Sequence, residues 1–136
     1  MIDPLEAVIK FLRDRPELPN LNDQVSRTVR YGNGWIRNTP GLVIVMDGGQ
    51  GDEYSPVHQL RIESRCYGNA TESMDTWLAL RQIGRDANRE LVETEQGKCL
   101  VYEFLQSSGP SRIWDPDVQM EMLTGFWSVT ISEVNA

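Results

Sequence analysis

Leu60-Arg61-Ile62-Glu63-Ser64-Arg65-Cys66-Tyr67, inside the longer stretch Val57–Leu91, decides how the chain is read. Leu60, Ile62, Ser64 and Cys66 fall on one side and Arg61, Glu63, Arg65 and Tyr67 on the other, the period of two that marks a half-buried strand. Gly68-Asn69 then breaks the run. Asn69 is placed to cap a helix, and Glu72 three residues on completes a capping-box spacing. At about 100° per residue, Trp77, Leu80, Ile83, Gly84, Ala87 and Leu91 share one arc, with Gln82, Arg85, Asp86 and Arg89 mostly across from it. Gly84 sits mid-face, where a missing side chain lets a helix lie close on a sheet. The stretch predicts a strand, a tight turn and the longest helix of the protein.

Upstream, Asp3-Pro4-Leu5-Glu6 supplies a cap, a proline at the first helical position and an acid three residues after the cap. Leu5, Val8, Ile9 and Leu12 follow at helical spacing, and Arg15-Pro16 ends the helix. Glu17 to Asn22 reads as loop. Val25 to Trp35 supports a short edge strand or an ordered loop: Thr28, Val29, Tyr31 and Trp35 suit a strand, but Gly32-Asn33-Gly34 is a turn signal. Asn38-Thr39-Pro40-Gly41 is a turn. Leu42-Val43-Ile44-Val45-Met46 is the most apolar run, too short and too β-branched for a helix, and predicts a central strand. Asp47 to Pro56 reads as a loop rich in glycine and acid.

Downstream, Glu93 to Gly97 turns the chain into a strand at Lys98 to Gln106. Leu100, Tyr102 and Phe104 are expected to face the core, with Cys99 and Glu103 outside. Ser107 to Asp117 reads as a second long loop, with two prolines and Trp114. The last strand spans Met120 to Glu133, with Trp127, Val129 and Ile131 inward and Phe126, Ser128, Thr130 and Ser132 outward. No internal repeat or linker interrupts the chain. These elements predict a single α+β domain over residues 1–136, a mainly antiparallel sheet of four to five strands packed against an N-terminal helix and one long central helix.

With 136 residues, 40% of them hydrophobic and 24% charged, the chain can bury a core without disulfides or metals. A net charge of −7 argues against a general grip on nucleic acid, which needs a basic surface to displace counterions. It leaves room for a surface that nucleic acid slides past. No long apolar span and no basic-then-apolar N-terminus is present, so neither membrane anchor nor export signal is read and the cytosol is the default. Cys66 and Cys99 lie on separate predicted strands with opposite facing, which predicts two reduced thiols.

The search for chemistry gives bland answers. Gly48-Gly49-Gln50-Gly51 looks like a phosphate loop, but it leads to a strand, lacks a Lys-Ser/Thr pair and is followed by Asp52 and Glu53, which repel phosphate. A flexible hairpin loop explains it. His58, the single histidine, has no partners at triad or zinc spacing and reads as a polar strand-end residue. Asp115-Pro116-Asp117 offers two carboxylates for acid–base work or calcium, yet a turn around the proline accounts for them. Asn69-Ala70-Thr71 matches a glycosylation acceptor, which means nothing without export. No catalytic residue, metal site or cofactor is expected. Met74 and Leu78 are less easily dismissed, because they lie a turn apart and away from the Trp77–Leu91 face. Either a loop or the first helix covers them, or another subunit does.

The order and spacing of these features resemble the tail terminator, or tail completion, proteins of long-tailed bacteriophages. The resemblance runs from the N-terminal helix through Pro40-Gly41-Leu42-Val43-Ile44-Val45 and the Gly48-Gly49 turn to Leu60–Tyr67 and the helix starting near Glu72. It resumes at the strand after Gly97, at Asp115-Pro116-Asp117 and at the final aromatic strand. It implies a virion structural protein, assembled in the host cytoplasm, that caps the tail tube and joins it to the head connector as a ring of identical copies, expected to be a hexamer. Tail tube protein and connector are its implied partners, and DNA passes through the lumen without specific binding. A ring contact needs two different complementary patches. The outward helix stripe Met74, Leu78 and Arg85 is one candidate, and the outer sheet face with Tyr67 and Phe126 is the other. Asp47, Asp52, Glu53, Tyr54, Trp114, Asp115 and Asp117, on the two loops, are the candidate contacts with tail or head, Tyr54 and Trp114 as aromatic anchors. A head-closure or neck protein is the alternative from the same particle. A small α+β enzyme or ligand-binding module, with Gly48–Glu53 and His58 at its site, is the alternative from another class.

Overall fold

The Asp3 carboxylate accepts hydrogen bonds from the amides of Leu5 and Glu6 at 3.0 and 3.3 Å, and Pro4 takes the first helical position. Helix α1 therefore runs Pro4–Arg13, burying Leu5, Ala7, Val8, Ile9, Phe11 and Leu12. The computed structural model describes residues 3–18, 25–26, 41–51, 57–116 and 119–134, with residues 26 and 47–51 as backbone alone. After α1 come β1 (Val25–Ser26), β2 (Gly41–Gly51), β3 (Val57–Tyr67) and helix α2 (Ala70–Asp86). The chain closes with β4 (Glu90–Thr94), β5 (Gly97–Asp115) and β6 (Met120–Val134).

The strands form one sheet in the order β1-β2-β3-β6-β5-β4, antiparallel throughout except for the short parallel edge strand β1. This is the expected α+β architecture. The edge-strand reading of Val25 to Trp35 holds for Val25–Ser26, and its remaining residues lie outside the described ones, as does Asn38-Thr39-Pro40.

β3 buries Leu60, Ile62, Ser64 and Cys66 as its alternation requires. The Trp127 indole N–H donates to Ser64 Oγ at 2.8 Å, which explains a serine on the buried side. Trp127 also meets Trp77 of α2 at 4.8 Å and Phe104 of β5 at 5.0 Å, and Phe104 meets Phe11 of α1 at 6.3 Å. Four aromatics thus tie both helices to the sheet through one core.

Helix α1 touches β4 and β5 on one side and β1 and β2 on the other, although these strands end opposite sides of the sheet. Helix α1 therefore bridges the two ends of the sheet. Polar bonds fix it there: Arg13 Nε donates to the Val25 carbonyl at 2.9 Å, and Arg15 lies 3.9 Å from Glu90.

The capping box opens α2, with Glu72 N–H donating to Asn69 Oδ1 at 2.8 Å and Asn69 N–H donating to Glu72 Oε1 at 3.1 Å. Gly84 faces β5 so closely that an added Cβ would collide with the Phe104 carbonyl. Both features were readable in the residues.

The end of α2 was not. The helix stops at Asp86 because Ala87 adopts an extended backbone and Arg89 a positive φ of 54°. Leu91, expected on the helix face, instead lies in β4 and is 56% exposed. β4 pairs with Gly97–Val101 through the two-residue turn Glu95-Gln96. Leu91 continued the helical spacing of Leu80, Gly84 and Ala87, which hid the strand.

β5 departs most from expectation. A bulge between Val101 and Glu103 inserts one residue opposite β6 and reverses the alternation. Cys99, Val101 and Phe104 consequently point inward and Glu103 outward, while Leu100 and Tyr102 are half-buried. Cys99 is thus not outside, and both thiols are buried and free. Burial pushes the Cys66 thiol far above its ordinary value. Burial, reinforced by the nearby Glu133 carboxylate, pushes Cys99 up too.

Ser107–Asp117 is likewise not a loop up to Asp115. The strand continues across irregularities at Gln106/Ser108 and Ser108/Ser111, with Pro110 inside the second, where a missing N–H costs the ladder nothing. Gly125 and Gly109 (φ 101°) face the Trp77 ring there, and a Cβ on Gly125 would overlap it. At the other end of the sheet, β2 extends through Asp47 to Gly51 with a bulge between Met46 and Gly48. The expected loop therefore begins later, and Asp47 and Gly48-Gly49-Gln50-Gly51 belong to a strand paired with His58–Arg61. Glycines read as a turn, but β3 supplies a ready ladder.

Candidate interaction surface

The apolar residues of β5 change sides along its length. At the base, Cys99, Val101 and Phe104 lie under the helices. Beyond Phe104, Leu105 pairs with Ser128 and Ile113 with Met122, placing both on the outer face of the sheet. Leu105 is 52% and Ile113 45% exposed. Half-buried Phe126 lies on the same face, with the Arg61 guanidinium 4.9 Å from its ring centroid. The helix side of this segment carries Gln106, Arg112 and Trp114 instead. Arg112 reaches Ser73 Oγ of α2 at 3.5 Å and Glu121 at 3.4 Å, and Trp114 is 57% exposed.

Among the described residues, β5 also has no strand beside it there. β4 covers only Gly97–Val101, so beyond that point β5 is hydrogen-bonded, among the described residues, on its β6 side alone. An open edge is a template for pairing with another chain, and exposed apolar side chains beside it mark a contact surface.

The residues expected to form interfaces are rearranged by the fold. Tyr67 is fully buried, packed with Val43 and Met120 in a second small cluster, and so is not on an open face. Its hydroxyl donates to Asp115 Oδ2 at 2.7 Å. Burial, and then that carboxylate, hold the phenol well above its ordinary value. Period-two reading gave Tyr67 the correct side of β3, but could not show that the side was covered. Met74 packs against the main core and is not part of an outward stripe. Leu78 remains 47% exposed, and Arg85 is exposed one helical repeat further on. Phe126 points outward as expected.

Among the loop residues, Asp47 is in β2, Trp114 and Asp115 are in β5, and Asp52, Glu53, Tyr54 and Asp117 lie outside the described residues. One carboxylate of the Asp115-Pro116-Asp117 segment is thus engaged structurally. His58 Nε2 lies 3.6 Å from Glu133 Oε2 across β3 and β6. Among the described residues, no group of three or more His, Cys, Asp or Glu side chains converges as a metal site. Among them, too, no helix is long and apolar enough to cross a membrane.

Sequence reasoning missed Leu105 and Ile113. Leu105 shares the outward face already expected for Glu103, whereas the bulges between Gln106 and Ser111 hid which face Ile113 occupies. No family model matches the chain, and no curated protein matches its sequence. What the fold and surface define is a small α+β domain with, among the described residues, an open β5 edge and exposed Leu105 and Ile113 on its outer face.

Proposed function

We propose that this chain is a structural protein of a virion, one that caps the tail tube, ends its polymerisation and joins the tail to the head connector as a closed ring of identical copies. The observation that carries this reading is the change of side along β5. Leu105 and Ile113 turn away from both helices and join Phe126 on the outer sheet face, where their exposure suits an apolar contact with another copy. A closed ring needs a second, different patch, and exposed Leu78 on α2 supplies its apolar centre. The ring would place identical copies around a lumen. A protein of net charge −7 suits passage of DNA, since carboxylates repel phosphate and keep it from sticking.

The work in this reading is done by shape and buried area. Light scattering of the purified chain, alone and with tail tubes, tests it: a ring mass at least on the tubes is expected. Leu78→Asp and Ile113→Asp should each abolish that ring while leaving the monomer folded. Particles of a virus lacking the protein should show overlong or unattached tails. Normal particles with tails of standard length would end the proposal.

A further inference from the structure

The C-terminal half of α2 and the free edge of β5 enclose an open groove of about 250 Å³. Gly84 and Phe104 form its floor, Arg81 and Arg85 line it from the helix, and Leu105 and Gln106 from the strand. We propose that this groove takes an extended acidic segment of a partner protein, which adds a strand beside Glu103–Gln106 and sets its carboxylates against Arg81 and Arg85. The inference rests on the edge and the groove, and stands whether or not the ring reading does.

Two independent features select this occupant. The first is the backbone. β5 beyond Val101 has, among the described residues, no strand on its outer side, so its outward backbone groups, the Phe104 carbonyl against Gly84 excepted, can pair with an extended chain. From Ser107 onward bulges and Pro110 spoil the ladder, which confines a regular addition to Glu103–Gln106.

The second feature is charge. Arg81 and Arg85 stand at i and i+4 on one helix face, and neither has an ion-pair partner among the described residues. The nearest acid along the helix, Asp86, is held by the Gln82 side-chain amide at 2.9 Å. Two unmatched guanidiniums in a chain of net charge −7 are a local exception, and their planar forks fit carboxylates.

The same geometry sets a sequence pattern for the partner. Side chains of an added strand alternate between faces. On the helix side they meet Arg81 and Arg85. On the other they meet Leu105 and Glu103, where an apolar residue is favoured and an acid repelled. The segment should therefore alternate acidic and apolar residues. Glu103 on the strand edge also opposes a nucleic-acid strand.

The test titrates a blocked ten-residue peptide alternating Glu and Val into the full chain, with an alternating Lys and Val peptide as control. The Glu peptide should bind and slow amide exchange at Glu103–Gln106. Arg81→Glu with Arg85→Glu should weaken it at least tenfold without changing the thermal midpoint by more than a few degrees. Arg81→Gln with Arg85→Gln, which keeps the side chains polar, should weaken it in the same direction if the reversal lowers the yield. No binding, binding indifferent to both double variants, or protection elsewhere on the sheet would overturn the proposal. So would equal binding of inorganic pyrophosphate or an oligothymidine at the same arginines, since that describes an anion site without a strand. Self-association of the free chain that protects the same edge amides would assign the groove to a second copy and equally refute it.

Discussion

The two ends of the β5–β6 hairpin are built from the same two strands and treat their side chains in opposite ways. At the base, Cys99, Val101 and Phe104 face Trp127, Val129 and Ile131 under the helices, and β4 completes the sheet. At the tip, every residue from Leu105 to Trp114 is exposed, and Leu105 and Ile113 lie on the face the helices do not cover, with Trp114 on the other. The difference teaches that strand formation and core formation are separable. Ladder hydrogen bonds to β6 hold the tip extended, while the face that carries Leu105 and Ile113 is left for something else.

Changes at the base should cost the most. Trp127→Ala removes the ring joining Trp77, Phe104 and the Ser64 hydroxyl, and should destabilise the fold by about 4 kcal/mol in urea unfolding. A loss under about 1 kcal/mol would mean that the aromatic chain does not anchor the core. Gly84→Ala drives a methyl into the Phe104 carbonyl, and should cost about 2 kcal/mol by the same measurement.

Intermediate effects sharpen the boundary. Tyr67→Phe removes the hydrogen bond to Asp115 at the far end of β5, and should cost about 1 kcal/mol. The Cys66 thiol gives a pH signature of the base. Because burial raises its folded pKa, the unfolded chain loses that proton first. Stability tied to this thiol is therefore complete below the unfolded value of about 8.5 and declines as pH rises above it. Cys66→Ala should flatten that alkaline decline, whatever its effect at neutral pH.

The tip should be nearly silent in the isolated chain. Ile113→Asp and Leu105→Asp should each change stability by no more than about 0.5 kcal/mol, as surface substitutions do. A loss of several kcal/mol from either would erase the contrast, because it would show that the tip is already buried by its own chain.

Much of the scaffold was legible because it depends on near neighbours in sequence. Capping at Asp3 and Asn69, the stop at Pro16, the alternation of Leu60–Tyr67 and the inward set Trp127, Val129 and Ile131 need only a few adjacent residues. The interaction surface was less legible. Leu78 and Phe126 stayed outward, but Tyr67 and Met74 proved covered, and no local pattern shows what lies over a side chain. Trp114 was read as an aromatic anchor on a loop, since glycine, prolines and serines mask a strand that its partner β6 sustains.

By itself, the sequence determined that the chain is a helix-covered, mainly antiparallel α+β domain with an acidic surface, because side-chain periodicity and charge are properties of the chain alone. The tertiary structure decided the path of β5, the existence of β4 and the burial of Tyr67. A bulge is fixed by two strands in register, and one inserted residue reverses every side chain beyond it.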